Sequence, residues 1–293
     1  MTIEKYQGCH TAIITPFLEG EIDYESLAKL VDFQCESGID GIVSVGTTGE
    51  SPTLSKVQHI EVVKRTVEFV NSRVPVIAGT GSNSTEEAVL LTKQADEAGA
   101  DAFLVVAPYY NKPNAEGLFL HFSEIAKVTT KPIILYSIPS RCGIEIGVDV
   151  VRRLHEAYPH VAMIKEAGGS CNKVSEMASS LGDDFLVLSG DDGLTLPFMS
   201  VGAKGIISVT SNAYPKELSE MVKLALAGDF KEALDVHNKY FELFNKLFIE
   251  PNPVPVKYIL EKMGKITTRD VRMPLCDVSE QTRGILDDCL AKL

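Results

Sequence analysis

Lys165 ends an apolar run in the stretch "VAMIKEAGG" (161–169). An ammonium in that place either snorkels or pairs with a carboxylate, or loses its proton easily because its surroundings are apolar. A neutral amine can add to a ketone and hold it as a Schiff base, an electron sink for a carbanion on the neighbouring carbon. On position alone the two readings balance.

Other residues could serve such chemistry. "GTTGES" (46–51) offers the Thr47 and Thr48 hydroxyls and the amides of a glycine-flanked turn, a cradle for a carboxylate or else a plain loop. It lacks the G-x-x-x-x-G-K-[ST] pattern of a phosphate loop. Tyr136, in "LYSIPSR", could shuttle protons or simply pack on a rim. Arg141 could grip a carboxylate with its fork, or be an ordinary loop arginine. "PYYNKP" (108–113) sets Tyr109 and Tyr110 on a proline-bounded loop suited to a subunit contact. "GTGSNS" (79–84) imitates a dinucleotide fingerprint, but Ser84 replaces its third glycine. The six histidines show no paired ligand spacing, so no metal site is expected.

These residues need elements to hold them. Short apolar, β-branched runs recur about every 30 residues, the spacing of strand-then-helix units. They are "TAIIT" (11–15), "GIVSVG" (41–46), "PVIAGT" (75–80), "AFLVVAP" (102–108), "PIILYSIP" (132–139), "VAMIKEA" (161–167), "FLVLSG" (185–190) and "GIISVT" (205–210). Their near-continuous apolar character predicts parallel strands buried on both faces. Asp23 is an expected N-cap, Ser55-x-x-Gln58 and Ser84-x-x-Glu87 are expected capping boxes, and Gly38 and Gly99 stand where helices should close. The class is therefore α/β, a (β/α)₈ TIM barrel over 1–230 with its active site at the C-terminal strand ends. A doubly wound sheet is the alternative, and the even spacing favours closure. Leu234, Phe241, Leu243, Phe244 and Phe248 predict an amphipathic helix over 231–250. "EPNPVPVK" (250–257) breaks it, so 231–293 reads as a C-terminal helical region.

Composition narrows the partners. The 293 residues are 45% hydrophobic and 23% charged, which suits a folded chain. A net charge of -12 argues against nucleic acid or an anionic membrane as partner. No apolar run approaches the roughly 18 residues of a membrane span. The start "MTIEKYQGCH" lacks a signal-peptide layout. Six scattered cysteines fit reduced thiols, and a cytoplasmic protein is expected.

Taken in order, "TAIITPF", "GTTGES", "PYYNKP", "YSIPSRCG", "IKEA", "LSGDD" and "EPNPVPVK" resemble the dihydrodipicolinate synthase/N-acetylneuraminate lyase family of class I aldolases, over essentially the whole chain. The resemblance implies a barrel with C-terminal helices and Schiff-base chemistry without a metal or organic cofactor. It gives Lys165 the condensation with pyruvate, and Thr47 and Thr48 the pyruvate carboxylate. Tyr136 would relay protons with Thr48 and with Tyr110, which in the family reaches in from a neighbouring subunit. Arg141, absent from the neuraminate lyases, would receive the carboxylate of aspartate 4-semialdehyde, and Gly190 and Ile207 would line the pocket. The Tyr110 habit implies at least a dimer, with a homotetramer expected. Ser137, Cys142 and Gly168 depart from the usual asparagine, threonine and threonine. In lysine-inhibited relatives the allosteric residues match His59, Asn83, Glu87 and Tyr109, but Lys56 stands at a histidine position. A cation there opposes a cationic effector, so weak or absent lysine inhibition is expected.

The expected activity is a lyase-type condensation of pyruvate with aspartate 4-semialdehyde in lysine and diaminopimelate synthesis. The rivals are a relative acting on a sugar acid or hydroxylated keto acid, a non-catalytic barrel with a binding role, and a pyridoxal-phosphate enzyme using the same lysine.

Overall fold

Apolar runs without alternation are stable in water only as strands covered on both faces. In the computed structural model, which describes residues 3–293, such runs form parallel strands β1 (Gly8–Ala12), β2 (Gly41–Ser44), β3 (Val76–Gly79), β4 (Ala102–Val106), β5 (Ile133–Ser137), β6 (Val161–Glu166), β7 (Leu186–Ser189) and β8 (Gly205–Ser208). They pair in sequence order and close into a barrel. Closure runs through β1, which pairs Gly8↔Gly205 to Thr11↔Ser208 on one side and His10↔Gly41 to Ala12↔Val43 on the other.

Helices α1 (Tyr24–Glu36), α2 (Lys56–Val70), α3 (Thr85–Glu97), α4 (Ala115–Ala126), α5 (Val148–Ala157), α6 (Cys171–Leu181), α7 (Thr195–Ser200) and α8 (Pro215–Ala227) alternate with the strands. A one-turn helix, Pro139–Cys142, follows β5. Asp23 caps α1 through the Ser26 amide, and Ser55 with Gln58 forms the reciprocal box on α2. Ser84 caps α3, but Glu87 does not return to it: its carboxylate turns to Ser82 and Lys56. A stronger charged partner outcompetes the backbone amide.

The first strand is displaced from its expected place. Residues 11–15 read as strand, whereas pairing occupies Gly8–Ala12. Ile14 leaves the ladder to donate its amide to Asn212 Oδ1. The strand instead starts at Gly8, packed so tightly on Gly205 that a Cβ on the latter would lie 2.0 Å from the Gly8 carbonyl oxygen.

Beyond the barrel, α9 (Phe230–Lys246) packs on α8, and α10 (Val254–Lys262) and α11 (Glu280–Leu290) follow. The stretch between α9 and α10 turns inward, with Asn252 buried against the loop after β2. Among the described residues no helix is long and apolar enough to cross a membrane.

Candidate active site

Strand periodicity sets the site. Lys165 lies beside Tyr136 of β5 and Leu188 of β7 in the ladder, near the C-terminal end of β6. Its side chain is 5% exposed, with Nζ 4.3 Å from the centroid of the Tyr136 ring. No side chain among the described residues hydrogen-bonds that nitrogen. Burial lowers its pKa to about 8; the Arg141 charge adds to the effect and Asp192 opposes it. Room for the chain depends on Gly190, where a Cβ would sit 3.0 Å from Lys165 Cε and 2.8 Å from Ala167 Cβ.

Tyr136 is buried beside it, and burial pushes its phenol well above the usual range. The Arg141 charge and the neighbouring Thr47 hydroxyl act the other way. Such a phenol stays protonated near neutral pH, so it has a proton to give. Thr48, the expected relay partner, is engaged elsewhere: its Oγ1 accepts from Asn252 Nδ2 at 3.0 Å. The structure brings Thr47, not Thr48, to the phenol.

The turn after β2 has the makings of an anion cradle. The Gly49 and Glu50 amides close it on the Gly46 and Thr47 carbonyls, and those of Thr47 and Thr48 are left without an acceptor among the described residues. Thr15 Oγ1 donates to the Gly49 carbonyl at 2.7 Å. Thr47, Thr48, Tyr136, Arg141, Lys165 and Gly190 together line one cavity of about 40 Å³. The expected liner Ile207 is fully buried within β8 and does not reach it; Val209, two residues on, does. Tyr110 is 90% exposed and stands outside this chain's own cavity, with φ 72°.

A larger cavity of about 360 Å³ opens beside the first, sharing Thr47 and Arg141 with it. Lys56, His59, Glu87 and Tyr109 line it; Asn83 does not, and its carbonyl accepts from Asn111 Nδ2 at 2.8 Å. His59 is held to the Gly79 carbonyl at 2.7 Å, and burial lowers its pKa. The Ser82 hydroxyl and the Lys56 ammonium hold Glu87 below the usual carboxylate range.

The three departures face structure and not the reacting atoms. Ser137 Oγ accepts from the Ile146 amide and Lys173 Nζ, each at 3.2 Å. The Cys142 thiol donates to the Ala107 carbonyl. At Gly168 a Cβ would lie 2.5 Å from Glu166 Oε1, which accepts the Gly168 amide at 2.7 Å. The "GTGSNS" glycines likewise make room for neighbouring loops: a Cβ on Gly79 would meet the Val45 oxygen at 2.4 Å, and one on Gly81 the Val106 nitrogen at 2.4 Å.

Sequence reasoning missed Asn252 and Phe248, which reach the smaller cavity from the C-terminal region, and Val209. It gave no role to Asp192, the last residue of "LSGDD". That carboxylate is buried, accepts from Ser208 and from the Val209 and Thr210 amides, and is pushed up by burial against those bonds.

The chain matches the Dihydrodipicolinate synthetase family over residues 5–293. It is 50% identical over 287 residues to the 4-hydroxy-tetrahydrodipicolinate synthase of Sulfurihydrogenibium sp. (strain YO3AOP1), covering 98% of each chain. Its fold superposes on the 4-hydroxy-tetrahydrodipicolinate synthase of Methylacidiphilum fumariolicum SolV with a TM-score of 0.96 at 51% identity, over 98% of this chain and 95% of that one. A pyruvate complex of the chloride-inhibited dihydrodipicolinate synthase from Acinetobacter baumannii gives a TM-score of 0.95 at 45% identity, over 98% of both. Barrel, lysine and full-length similarity agree: the chain belongs to the dihydrodipicolinate synthetase family.

Proposed function

We propose that the chain catalyses the 4-hydroxy-tetrahydrodipicolinate synthase reaction, condensing pyruvate with L-aspartate 4-semialdehyde in lysine and diaminopimelate synthesis. The observation that carries the reading is an unpaired, buried lysine facing a tyrosine, with an arginine and an anion cradle on the same small cavity. Names borne by full-length relatives at about half identity support the same activity.

The steps follow from the groups. Neutral Lys165 Nζ adds to the keto carbon of pyruvate, whose carboxylate rests on the Thr47 and Thr48 amides. The keto oxygen takes one proton from the adding nitrogen and a second through Tyr136 and leaves as water, and the iminium forms. Loss of a methyl proton gives the enamine, with the iminium nitrogen as electron sink. The enamine carbon bonds to the aldehyde carbon, and the aldehyde oxygen takes a proton to become the hydroxyl. Arg141, at the mouth, holds the carboxylate of this second substrate in forked geometry. The substrate's own amine then displaces Lys165, closing the ring and freeing the enzyme. In this scheme Thr47 is the hydroxyl next to Tyr136, and Thr48 serves the cradle.

Tyr110, exposed and turned from its own cavity, fits a residue lent to a second copy, so the working form is at least a dimer and on the family habit a homotetramer. Six free cysteines and a net charge of -12 fit a cytoplasmic enzyme. Borohydride reduction with pyruvate, followed by peptide mapping, tests the reading. A covalent adduct on Lys165 is expected; no adduct, or one on another lysine, overturns it.

A further inference from the structure

The cradle is strained at both ends. Val45, which is β-branched, and Glu50 both hold left-handed backbone, each with φ 55°. Such conformations persist only where the surroundings fix them. Gly79 makes room for the Val45 end, since a Cβ there would collide with the Val45 carbonyl. The Glu50 end is fixed from far along the chain. Lys257 of α10 places Nζ 2.5 Å from Glu50 Oε1, across 207 positions of sequence, and the pair is 0% and 1% exposed. The Arg272 amide donates to Glu50 Oε2 at 3.0 Å, and Lys257 also donates to the Asp270 carbonyl at 2.7 Å. The Arg272 guanidinium bonds the Thr53 carbonyl at 3.1 Å and the Gly20 carbonyl at 3.0 Å, tying the loop after β2 to the turn at Gly20 that follows β1.

Stability alone does not account for this arrangement. Two fully buried charges give little net stabilisation over apolar side chains of the same volume, whereas they impose one geometry on what they join. What they join here is the strained turn that presents the Thr47 and Thr48 amides. We infer that Lys257 is a positioning residue for the keto-acid subsite: acting through Glu50, it sets the direction of the cradle amides without touching substrate. The inference rests on the reading of that cradle as the seat of the pyruvate carboxylate.

The test is the double variant Glu50→Gln/Lys257→Met, which removes both charges, keeps the volume and strands no charge. Pyruvate-dependent borohydride inactivation, the kcat and KM for each substrate, and thermal melting are measured. The expected result is a roughly tenfold or greater rise in half-saturating pyruvate, from a cradle displaced by a fraction of an ångström. The KM for the aldehyde and the melting temperature should change far less. Unchanged pyruvate dependence overturns the inference. So does a parallel loss of melting temperature, kcat and both KM values, the mark of a merely structural pair. Should the double variant fail to fold, Glu50→Asp, which keeps the charge opposite Lys257 but shortens the strut by one methylene, is expected to shift pyruvate dependence in the same direction, and no shift there overturns the inference. If the wild-type chain traps no pyruvate, the site reading falls as well; the other outcomes touch Lys257 alone.

Discussion

Lys165 on β6 and Lys257 on α10 occupy nearly the same surroundings. Both are buried, each ammonium lies 4.3 Å from an aromatic centroid (Tyr136 and Phe17), and burial lowers both pKa values. They differ in what faces the nitrogen. Lys257 meets the Glu50 carboxylate and the Asp270 carbonyl, so its proton is held and its lone pair has nowhere to go. Lys165 meets a cavity. A depressed pKa is therefore shared by a strut and a candidate nucleophile, and the empty place beside the nitrogen separates them. Lys173, nearly buried and 2.9 Å from Glu166 Oε2, belongs with the struts.

The comparison breaks most sharply by substitution. Lys165→Ala should lose the pyruvate label and fall by about 10³-fold or more in turnover, with the fold intact. Lys257→Met alone leaves Glu50 buried and unpaired, which costs about 3–5 kcal/mol of stability. It should melt well below the wild type yet still take the label. Labelling that survives Lys165→Ala would reverse the two roles.

Next in size is the proposed hydroxyl relay around Lys165, which Lys257 has no counterpart for. Tyr110→Phe should slow Schiff-base formation by about 10²-fold, the low end for loss of a positioned proton donor. If that hydroxyl crosses between subunits, mixed oligomers of Lys165→Ala and Tyr110→Phe regain activity, because one site then holds both groups. Mixed oligomers no more active than their parents would place Tyr110 outside the relay.

Much of the pairing around Lys165 was readable in the sequence, and almost none of that around Lys257. Apolar runs such as "PIILYSIP" and "VAMIKEA" announce strands because burial on both faces leaves a local signature, and their polar ends mark the barrel mouth. β1 misled because Gly8, Cys9 and His10 carry no strand pattern; tight packing on β8 and, at His10, pairing with β2 make them one. The resemblance put Thr48 in the relay, since only the fold shows that the Thr47 hydroxyl neighbours Tyr136 and that of Thr48 meets Asn252. Asn252 and Lys257 lie in "EPNPVPVK", which reads as a helix breaker and part of the family pattern, with no role marked for either side chain. Their partners lie 204 and 207 positions away, and contacts at that separation leave no periodicity to read.

pH gives the next-smaller effect. With Lys165 lowered to about 8, the reactive form is the deprotonated one, and roughly a tenth of it exists at pH 7. The rate of pyruvate labelling should rise about tenfold per pH unit below 8 and level off above it. Arg141 contributes to the lowering, so Arg141→Met should move the midpoint upward, by less than about one unit because burial is the larger cause. A labelling rate flat from pH 6 to 9 would mean that the nitrogen is not the titrating nucleophile.

The smallest effect concerns Lys56, paired like Lys257 but open to water. Lys56 Nζ lies 3.1 Å from Glu87 Oε1, with side chains 56% and 33% exposed. It lines the larger cavity with His59 and Tyr109, where the ammonium of an effector lysine would need the charge of Glu87. That charge is already answered, so millimolar L-lysine should leave the rate of the native chain unchanged. Lys56→His would free Glu87, and inhibition should appear, but modestly. An exposed pair contributes at most about 1 kcal/mol, roughly a fivefold change in affinity. Full inhibition of the native chain at low lysine concentration would show that Glu87 exchanges one ammonium for another. Lys56 would then be a gate with an exchangeable partner, and partner fixity, which separates Lys257 from Lys165, would hold only where water is excluded.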